Sequence, residues 1–268
     1  MFAGKVVWIT GASSGIGEAL AKAFACEGAQ VVLSARREAE LQRVLSACEE
    51  INPAVSGHMV LPLDVTDHAA LPGAVQAVLD GPGRIDLLIN NAGISQRSLC
   101  VDTDMAVYRQ IMEVDVLGQI ALTRAALPVM LEQGNGHIAM TSSVAGKIGV
   151  PYRTGYCAAK HAVMGFCDAL RSEVAHRGIQ VSTIVAGYIR TNISVHALKG
   201  DGEEFGHVDE KIAGGMDVDR CATVILKGLS KGKPEIPVGE GFEMKALWIK
   251  RLFPGFVFKK AAEMVKKD

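Results

Sequence analysis

Short apolar runs alternate with longer amphipathic segments through the first two-thirds of this chain. Such runs are typical of parallel strands covered on both faces, and the segments between them are typical of helices. Strands are predicted at Val6 to Thr10, Gln30 to Ala35, Met59 to Leu63, Leu87 to Asn90, Ile138 to Ser142 and Val181 to Val185, with a short seventh at Glu235 to Val238. Helices are predicted at Ile16 to Glu27, Glu38 to Glu50, Leu71 to Leu79, Asp104 to Glu132, Tyr156 to Ala175 and Asp217 to Leu229. The pattern predicts an α/β fold, a three-layer doubly wound parallel sheet, in a single domain over residues 1–268.

Composition and charge exclude several classes of function. With 49% apolar and 21% charged residues and a formal net charge of −1, the 268-residue chain is typical of a globular domain and lacks the basic footprint of a nucleic-acid binder. Its six cysteines show no Cys-x-x-Cys spacing, which indicates reduced thiols and no metal site. Met1 leads almost directly into the first predicted strand, and no stretch reaches the roughly 18 uninterrupted apolar residues of a spanning helix. We therefore expect a cytoplasmic protein that is neither secreted nor membrane-spanning.

The regular alternation ends at Tyr188. From residue 188 to 216, glycines and charged residues are interspersed without a clear period, and an irregular segment of this length is usually kept only for a function. We predict that it forms a lid over a substrate site.

The C-terminal segment, residues 241–268, is basic and amphipathic. From Lys245 onward it holds seven Lys or Arg side chains against two carboxylates, a net charge of +5, whereas the rest of the chain sums to −6. Large apolar side chains are interleaved with these charges at Trp248, Ile249, Leu252, Phe253, Phe256 and Phe258. Two interpretations remain open: a surface that makes peripheral contact with anionic lipid, and an ordinary helix that packs on the domain or on a partner subunit.

A glycine-rich loop follows the first predicted strand and opens the first predicted helix. Gly11, Gly15 and Gly17 permit a tight turn and a close approach to a pyrophosphate, which the N–H groups and dipole of the helix N-terminus would bind. The alternative is a tight turn without a ligand. The predicted cofactor contacts in this loop are Gly11, Ser13, Ser14, Gly15, Ile16 and Gly17.

The residues after the second predicted strand favour NADP(H) over NAD(H). An NAD-binding protein usually has an Asp or Glu there for the ribose hydroxyls, but this chain has Arg36 and Arg37, which can neutralise a 2′-phosphate. Solvated arginines at a helix start are the alternative. After the third strand, Asp64 and Val65 are placed to hold the adenine edge, although Asp64 could instead be a helix N-cap.

Tyr156 and Lys160 are the candidate proton-transfer pair. A spacing of four places both side chains on one face of a helix, where an ammonium favours ionisation of a phenol whose ordinary pKa is about 10. Ser143, 13 residues before Tyr156, could orient a substrate oxygen toward that phenol. The three residues predict a catalytic site next to the bound nucleotide.

Taken together, these motifs resemble those of the short-chain dehydrogenase/reductase family over about Lys5 to Ser194. The matching pieces are Thr10 to Gly17, Asp64, Asn90 to Gly93, Ser142 with Ser143, Tyr156 with Lys160, and Gly187 with Thr191. Residues 142–194 are most similar to the branch that contains dehydrogenase/reductase member 7 proteins and 11-beta-hydroxysteroid dehydrogenases.

The resemblance implies a seven-stranded parallel Rossmann sheet and hydride transfer at a nicotinamide, with Tyr156 as the general acid in carbonyl reduction. It also implies that Lys160 bonds the nicotinamide ribose and that Thr191, with the Ile189 backbone, contacts the carboxamide. Asn91 would help to brace the cofactor loop. The remaining cofactor contacts that it implies are Ala92, Gly93 and Gly187.

Two residues depart from the family pattern. Asp115 stands where the family usually has an asparagine that supports a water relay from the lysine, so we count it among the catalytic residues. A carboxylate there would keep Lys160 charged but offset part of its pull on Tyr156, unless only the backbone carbonyl is used. Ala186 replaces a usual proline and should loosen the start of the lid.

The leading hypothesis is an NADP(H)-dependent oxidoreductase that interconverts a carbonyl and an alcohol on a partly hydrophobic small molecule. The alternatives are a regulatory protein that senses NADP without turnover and an epimerase or dehydratase. A homodimer or homotetramer is expected through the helices Asp104 to Glu132 and Tyr156 to Ala175, with Ala158, Ala162, Val163, Phe166 and Ala169 serving a partner or the core. The predicted apolar pocket residues are Val150, Pro151, Tyr152, Tyr188, Ile193, Val195 and Leu198.

Overall fold

Seven strands form one parallel sheet in the computed structural model, which describes residues 1–265. They are β1 (Val6–Thr10), β2 (Gln30–Ser34), β3 (Met59–Val60), β4 (Leu87–Asn90), β5 (Gly136–Ser143), β6 (Ile179–Ala186) and β7 (Glu235–Val238). Their order is β3-β2-β1-β4-β5-β6-β7, and every neighbouring pair is parallel. The predicted fold class is confirmed.

Helices cover both faces of this sheet. They are α1 (Gly15–Cys26), α2 (Glu38–Ile51), α3 (Leu71–Asp80), α4 (Met105–Met112), α5 (Gly118–Glu132), α6 (Thr154–Val174), α7 (Glu210–Ala213), α8 (Val218–Leu229), α9 (Phe242–Leu252) and α10 (Pro254–Ala262). On one face, α1, α2 and α8 form an apolar layer in which Phe24 and Ile225 are fully buried. On the other face, α3 to α6 form a second layer around Ile111, Leu122 and Val163.

Most predicted elements agree with the structure to within two residues at each end, and two of them differ more. The third strand ends at Val60 instead of Leu63. The backbone N–H groups of Leu61 and Leu63 nevertheless donate hydrogen bonds to the carbonyl oxygens of the last part of β2 and of the residue that follows it, at 2.9 and 3.0 Å. The predicted helix Asp104 to Glu132 is interrupted by a π-turn at Glu113–Leu117, which carries Asp115. Turns of this kind are frequent at functional sites because they change the direction of a single side chain.

The helical stretch Met105–Glu132 would be long and apolar enough to cross a membrane by length and composition alone, with an 18-residue window of mean hydropathy 1.4. It contains no long uninterrupted apolar run. Ile111, Leu122 and Met130 in this stretch are fully buried in the second apolar layer. Packing against the sheet therefore accounts for the apolar side chains at these three positions.

The two segments that were predicted to be irregular or amphipathic have more structure than their sequences indicate. Residues 188–216 contain a 3₁₀ turn at Asn192–Ser194 and the short helix α7. The C-terminal segment forms α9 and α10, which meet at Phe253 and pack on the domain by burying Ala246 and Val257 against Ile148. Its last three residues, Lys266 to Asp268, lie outside the described residues.

Candidate active site

The sheet reverses its winding between β1 and β4, since β2 lies on one side of this pair and β5 on the other. The carboxyl ends of parallel strands meet at one edge, and the crevice outside them at such a reversal is where nucleotides bind in this architecture. The glycine loop follows β1, and Asn91 to Gly93 follow β4. The topology therefore brings these two predicted motifs to one crevice.

The glycine loop has the shape of a cradle for an anion. Gly11 and Gly15 have φ of +66° and +59°, the left-handed region that favours glycine. A Cβ at Gly17 would overlap the Gly11 carbonyl, and one at Gly11 would stand 2.9 Å from Ala92 Cα. Ser14 precedes α1 without a side-chain capping bond, so no side chain occupies the first N–H groups of the helix. These features fit a dinucleotide pyrophosphate.

Asn91 links three neighbouring strands beneath this loop. Its Nδ2 donates to Thr10 O at 3.3 Å and its Oδ1 accepts from Thr141 Oγ1 at 3.3 Å. The Thr10 hydroxyl in turn accepts from the N–H groups of Asn91 and Ala92, at 3.0 and 3.1 Å. Asn91 thus joins the glycine loop to β4 and β5, and its role toward a bound cofactor stays a prediction.

The end of β2 carries arginine and no carboxylate. Ser34 is buried and accepts from Trp8 Nε1 at 2.9 Å, so it does not face a ligand. Arg37 Nη2 donates to Ser13 Oγ at 3.2 Å, which places this guanidinium against the glycine loop. Arg36 is exposed next to it. Both side chains follow β2 directly, at the end of the crevice where the sequence predicts contacts to a 2′-phosphate.

A third arginine at this end of the crevice was not predicted. Arg43 holds Glu18 through two bonds of 2.9 and 2.8 Å and donates to Ser13 O at 3.4 Å. Its hydrogen bond lowers the pKa of Glu18 to about 2, although partial burial opposes this. Because Arg43 lies on α2 and Glu18 on α1, only the packing of the two helices reveals the pair. It fixes α2 against the glycine loop.

Asp64 stabilises a turn and does not cap a helix. Its Oδ1 accepts from the backbone N–H and the hydroxyl of Thr66, at 2.9 and 2.7 Å, whereas α3 begins only at Leu71. Burial acts to raise the pKa of Asp64, but these bonds and the Arg36 charge outweigh it and lower the pKa. The helix-cap alternative is therefore wrong for Asp64. Val65 is buried, and its carbonyl lies close to Gly118 on α5.

The proposed catalytic residues lie at the carboxyl end of β5 and on the first turns of α6. Ser143 ends β5, and its hydroxyl donates to Ala186 O and accepts from Ala145 N, both at 3.1 Å. Tyr156 is buried, and Lys160 Nζ stands 5.5 Å from the centre of its ring. The helical spacing thus places the ammonium beside the phenol.

Lys160 is held by two oxygens. Its Nζ donates to Thr141 O at 3.0 Å and lies 3.0 Å from Asp115 Oδ2. Asp115 is completely buried, and its Oδ1 accepts from Ile94 N at 2.7 Å. A Cβ on Gly93 would stand only 3.2 to 3.3 Å from this ion pair, so the backbone at Gly93 lies directly over it. Asp115 therefore contacts Lys160 through its side chain. The use of its backbone carbonyl for a water relay stays a prediction.

The ion pair keeps the ammonium charged. Burial acts to lower the pKa of Lys160, but the Asp115 carboxylate outweighs it and raises the pKa above the ordinary value of about 10.4. Burial raises the pKa of Asp115, an effect that the ammonium and the Ile94 N–H oppose. Since a neutral partner on either side would leave a buried charge without compensation, we describe the pair as ionised.

Gln96 positions the start of α6, and no pattern in the sequence indicates this contact. Its Oε1 accepts from Gly155 N at 2.7 Å, next to Tyr156, and its Nε2 donates to Ser98 and Thr103 at 3.2 and 3.1 Å. The residue is fully buried, which makes each of these bonds necessary. A lone glutamine 59 residues away has no local pattern that would identify it.

The lid segment is tied to the body by a buried cluster of charges. Asp209 lies 2.7 Å from Arg97 Nη1 and 3.4 Å from Arg153 Nη2 and is itself buried. Arg97 also lies over the ring of Tyr152, the only described non-glycine residue with positive φ, at 64°. The loop that leads into α6 and the lid are therefore fastened to each other. The role of residues 188–216 as a lid stays a prediction.

The start of the lid meets the glycine loop. The Thr191 methyl group lies 3.2 Å from where a Cβ at Gly15 would stand, and Thr191 Oγ1 donates to Ile189 O at 3.4 Å. Gly187 has no space for a side chain because Glu243 and Met244 lie 2.8 and 3.0 Å from such a Cβ. The residues predicted to hold the carboxamide are thus at the same crevice as the glycine loop.

The residues of the predicted apolar pocket do not line one common cavity. A cavity of about 390 Å³ has mostly apolar walls and includes Val150, Pro151, Tyr152 and Phe258. Tyr188 lines a separate cavity of about 230 Å³. Leu198 is buried in the second apolar layer, and neither cavity contains Ile193 or Val195. The prediction is wrong for Leu198, which the loop turns into the core, and it stays a prediction for Ile193 and Val195.

The residues predicted for a partner-facing surface of α6 are partly buried and partly exposed. Val163 is fully buried, and Ala162 and Phe166 pack against the second apolar layer. Ala158 and Ala169 are exposed and remain available to another subunit. The oligomeric state stays a prediction.

Within residues 1–265 there is no group of three or more His, Cys, Asp or Glu side chains that could hold a metal ion.

Comparisons with known proteins agree with these features. A family model described as short chain dehydrogenase matches residues 5–201. The chain is 44% identical to a dehydrogenase/reductase SDR family protein 7-like of Anopheles gambiae, over 97% of this chain and 84% of that protein. It is 40% identical to the human dehydrogenase/reductase SDR family member 7, over 98% and 78%.

Solved structures resemble the fold. A short chain dehydrogenase/reductase from Burkholderia phymatum in complex with NAD superposes with a TM-score of 0.84 over 95% of both chains at 24% identity. Levodione reductase superposes with a TM-score of 0.82 over 92% of this chain and all of that chain at 27% identity.

Proposed function

Because this chain belongs to the short-chain dehydrogenase/reductase family, in the branch of the SDR family 7 proteins, we propose that it is an NADP(H)-dependent enzyme that interconverts a carbonyl and an alcohol. The family makes it an oxidoreductase that uses a nicotinamide nucleotide. The choice of NADP(H), the role of each residue and the partly hydrophobic small-molecule substrate belong to the proposal.

One observation carries the proposal: a buried phenol stands beside a charged, buried ammonium at the crevice that the glycine loop opens. When it is bound, the dinucleotide supplies the hydride for reduction and accepts one in oxidation. Tyr156 donates its proton to the carbonyl oxygen in reduction, and the Lys160 charge stabilises the phenolate that remains. The 5.5 Å between Lys160 Nζ and the Tyr156 ring supports this role.

Ser143 orients the substrate oxygen in this proposal. Its hydroxyl proton now goes to Ala186 O. To donate to a carbonyl substrate, the hydroxyl rotates away from Ala186 and exchanges one acceptor for another. The exchange keeps one hydrogen bond, so it costs little free energy.

The arginines at the end of β2 support NADP(H). Arg36 and Arg37 offer two guanidinium groups, and no carboxylate in the residues that follow β2 directly would repel a 2′-phosphate. Arg43 already forms an ion pair with Glu18, so it is a weaker candidate for binding the 2′-phosphate. The Burkholderia phymatum structure contains NAD, but at 24% identity that likeness concerns the fold alone.

We expect the double variant Arg36→Ser/Arg37→Ser to lose about 10- to 100-fold in kcat/KM for NADPH, because hydrogen bonds between charged groups are each worth about 1.5–3 kcal/mol. The kcat/KM for NADH should change by less than about threefold, since NADH has no 2′-phosphate that the arginines could contact. Steady-state kinetics with both nucleotides measure the ratio.

Arg177→Ser is the matched control for this variant. Arg177 is exposed and lies in a 3₁₀ turn after α6, away from the crevice. An equal loss for NADPH and NADH in the double variant, or an NADPH loss in the control, would contradict the assignment of the arginines.

Asp115→Asn tests the buried ion pair. We expect kcat to stay within about tenfold, because asparagine can still accept from Ile94 and Lys160. Without the carboxylate, the largest influence that raises the pKa of Lys160 is lost and burial acts against the charge with less opposition, so the ammonium deprotonates at lower pH. In the wild type the raised pKa keeps the charge throughout the neutral range. The alkaline decline of kcat/KM should therefore move to lower pH in the variant.

Asp86→Asn is the matched control, since Asp86 is also buried in an ion network, with Lys5 and Arg84, but lies at the opposite end of β4. It should reduce stability without moving the pH profile of activity. A rate gain of about a hundredfold in Asp115→Asn would show that the carboxylate impairs the wild-type relay.

A panel of ketones, aldehydes and quinones, assayed by loss of NADPH absorbance, tests the function. Turnover of any member with consumption of NADPH supports the proposal. Stabilisation by NADPH without turnover across the panel would favour a nucleotide sensor, and product formation without net NADPH consumption would favour an epimerase or dehydratase. The apolar walls of the 390 Å³ cavity favour lipophilic members of the panel.

A further inference from the structure

The last two helices expose an unusual set of apolar side chains. Of the fifteen large apolar side chains that are exposed in residues 1–265, seven lie on α9, α10 and their flanks, and these include every exposed Phe and Trp in that range. They are Phe242, Trp248, Leu252, Phe253, Phe256, Phe258 and Met264. A concentration of this kind on one surface indicates a site of interaction.

The helix pair separates an inner face from an outer face. Ala246 on α9 and Val257 on α10 are buried against Ile148. Trp248 and Leu252 are four residues apart on α9, point away from Ala246, and are 74% and 70% exposed. The inner face thus accounts for the packing of the segment, and the outer face is left without a partner in the described chain.

Basic side chains lie beside the exposed aromatic residues. Lys245 and Arg251 on α9 and Lys259 on α10 are exposed and form no ion pair with a described carboxylate. Lys260 pairs with Glu263 at 2.7 Å. The outer face therefore combines uncompensated positive charge with apolar rings, while the rest of the chain is acidic.

We propose that the outer face of α9 and α10 docks on an anionic lipid bilayer. Trp and Phe rings with neighbouring Lys and Arg are the side chains that settle at the boundary between headgroups and acyl chains. The break at Phe253 and Pro254 places Leu252, Phe253 and Phe256 around the corner between the two helices. This corner is the part of the surface that enters the bilayer, and the cations lie at the headgroups.

Charge argues against a second copy of this chain as the occupant. Two such faces would bring like charges together, and the C-terminal segment carries a net charge of +5 from Lys245 onward. An anionic bilayer supplies both the opposite charge and an apolar interior. The proposal is independent of the catalytic role of Tyr156, so the two can fail separately.

Tryptophan fluorescence provides a direct test, because the chain has two Trp residues and only one of them is accessible. Trp8 is fully buried in the sheet, whereas Trp248 is 74% exposed. We expect vesicles of phosphatidylcholine with roughly 30% phosphatidylserine to shift the Trp248 emission to shorter wavelength and brominated lipids to quench it. Vesicles of phosphatidylcholine alone, or about 0.5 M salt, should reduce both effects.

Two variants separate the contributions. Trp248→Phe removes the reporter, and its remaining emission from Trp8 should not respond to vesicles. Lys245→Glu/Arg251→Glu/Lys259→Glu should weaken co-sedimentation with the anionic vesicles by about tenfold or more, because each cation near such a surface contributes to binding. The control Ile51→Ser changes an exposed apolar residue at the end of α2, away from the last two helices, and should bind like the wild type.

Equal binding of the charge variant and the wild type would overturn the proposal, as would the absence of any fluorescence change with anionic vesicles at low salt. A soluble polyglutamate that shifts the Trp248 emission as far as the vesicles do would point to an acidic protein partner instead. A variant Trp248→Ser/Phe253→Ser that dissociates a wild-type oligomer in light scattering would identify the face as a subunit interface and would also overturn it.

Discussion

Tyr156→Phe is expected to lose about 10³-fold or more in kcat while NADPH affinity stays within several-fold. The substitution removes a single oxygen from a buried ring, so the ring still fills its place in the small apolar cluster with Ala145 and Cys157. What disappears is the proton that the carbonyl oxygen must receive, and proton transfer from a positioned side chain typically contributes about 10²- to 10⁴-fold to the rate. A loss confined to kcat identifies an interaction used in the chemical step.

Fluorescence titration with NADPH and single-turnover reduction of the best panel substrate measure the two quantities. Tyr108→Phe is a matched control, since Tyr108 is a half-buried phenol that bonds Thr154 at 2.8 Å outside the proposed site. If Tyr156→Phe keeps most of its rate, the phenol is not the proton donor. If the variant loses NADPH binding as severely as it loses turnover, Tyr156 maintains the shape of the crevice and is not specific to the chemical step.

Lys160→Met is expected to reduce both turnover and stability. In the proposed mechanism the charge that forms on Tyr156 loses its neighbouring cation, and the nicotinamide ribose loses the partner that the family resemblance implies. In addition, Asp115 becomes a buried carboxylate without its ammonium, and breaking a buried pair in this way costs about 3–5 kcal/mol. Thermal unfolding and steady-state kinetics at several NADPH concentrations measure these effects.

The stability of Lys160→Met should also depend on pH. An unpaired, fully buried Asp115 has its pKa raised by burial, so the folded protein holds a proton that the unfolded chain releases near pH 4. Between these two pKa values the unfolded chain binds fewer protons, and the free energy of unfolding falls as the pH rises. The melting temperature of the variant, relative to the wild type, should thus decrease from about pH 4 toward neutrality.

Lys160→Met/Asp115→Asn separates the two roles. The double variant leaves no buried charge at this position, and asparagine still accepts from Ile94 N, so stability and its pH dependence should recover toward the wild type. Activity should remain lost, since the ammonium is absent. Recovery of activity in the double variant would show that Lys160 serves the fold alone.

The sequence predicted a large part of the site because its motifs are local. Strands β1, β4 and β7 have the predicted ends, and the glycine loop lies between β1 and α1. Tyr156 and Lys160 share a helix, so their spacing alone places them on one face. The fold class follows from the period of apolar residues, which is a property of neighbours in the chain.

Side-chain partners at long range were beyond such reasoning. The sequence identified Asp115 as a departure from a family pattern, but the direct contact between its carboxylate and Lys160 depends on the π-turn that turns it inward. Gln96 reaches the start of α6, and Arg43 reaches Glu18, only because separate helices and loops pack together. The pocket prediction failed at Leu198 for the same reason, since the loop folds back on Gln96.

The chain by itself determined the parallel sheet, the cradle for a nucleotide and the pairing of a phenol with a cation, because each depends on residues a few places apart whose geometry secondary structure dictates. The tertiary structure decided which buried charges meet, where the apolar cavity lies, and which face of the last two helices stays exposed. Those outcomes depend on how distant segments fill a common volume and satisfy each other's polar groups.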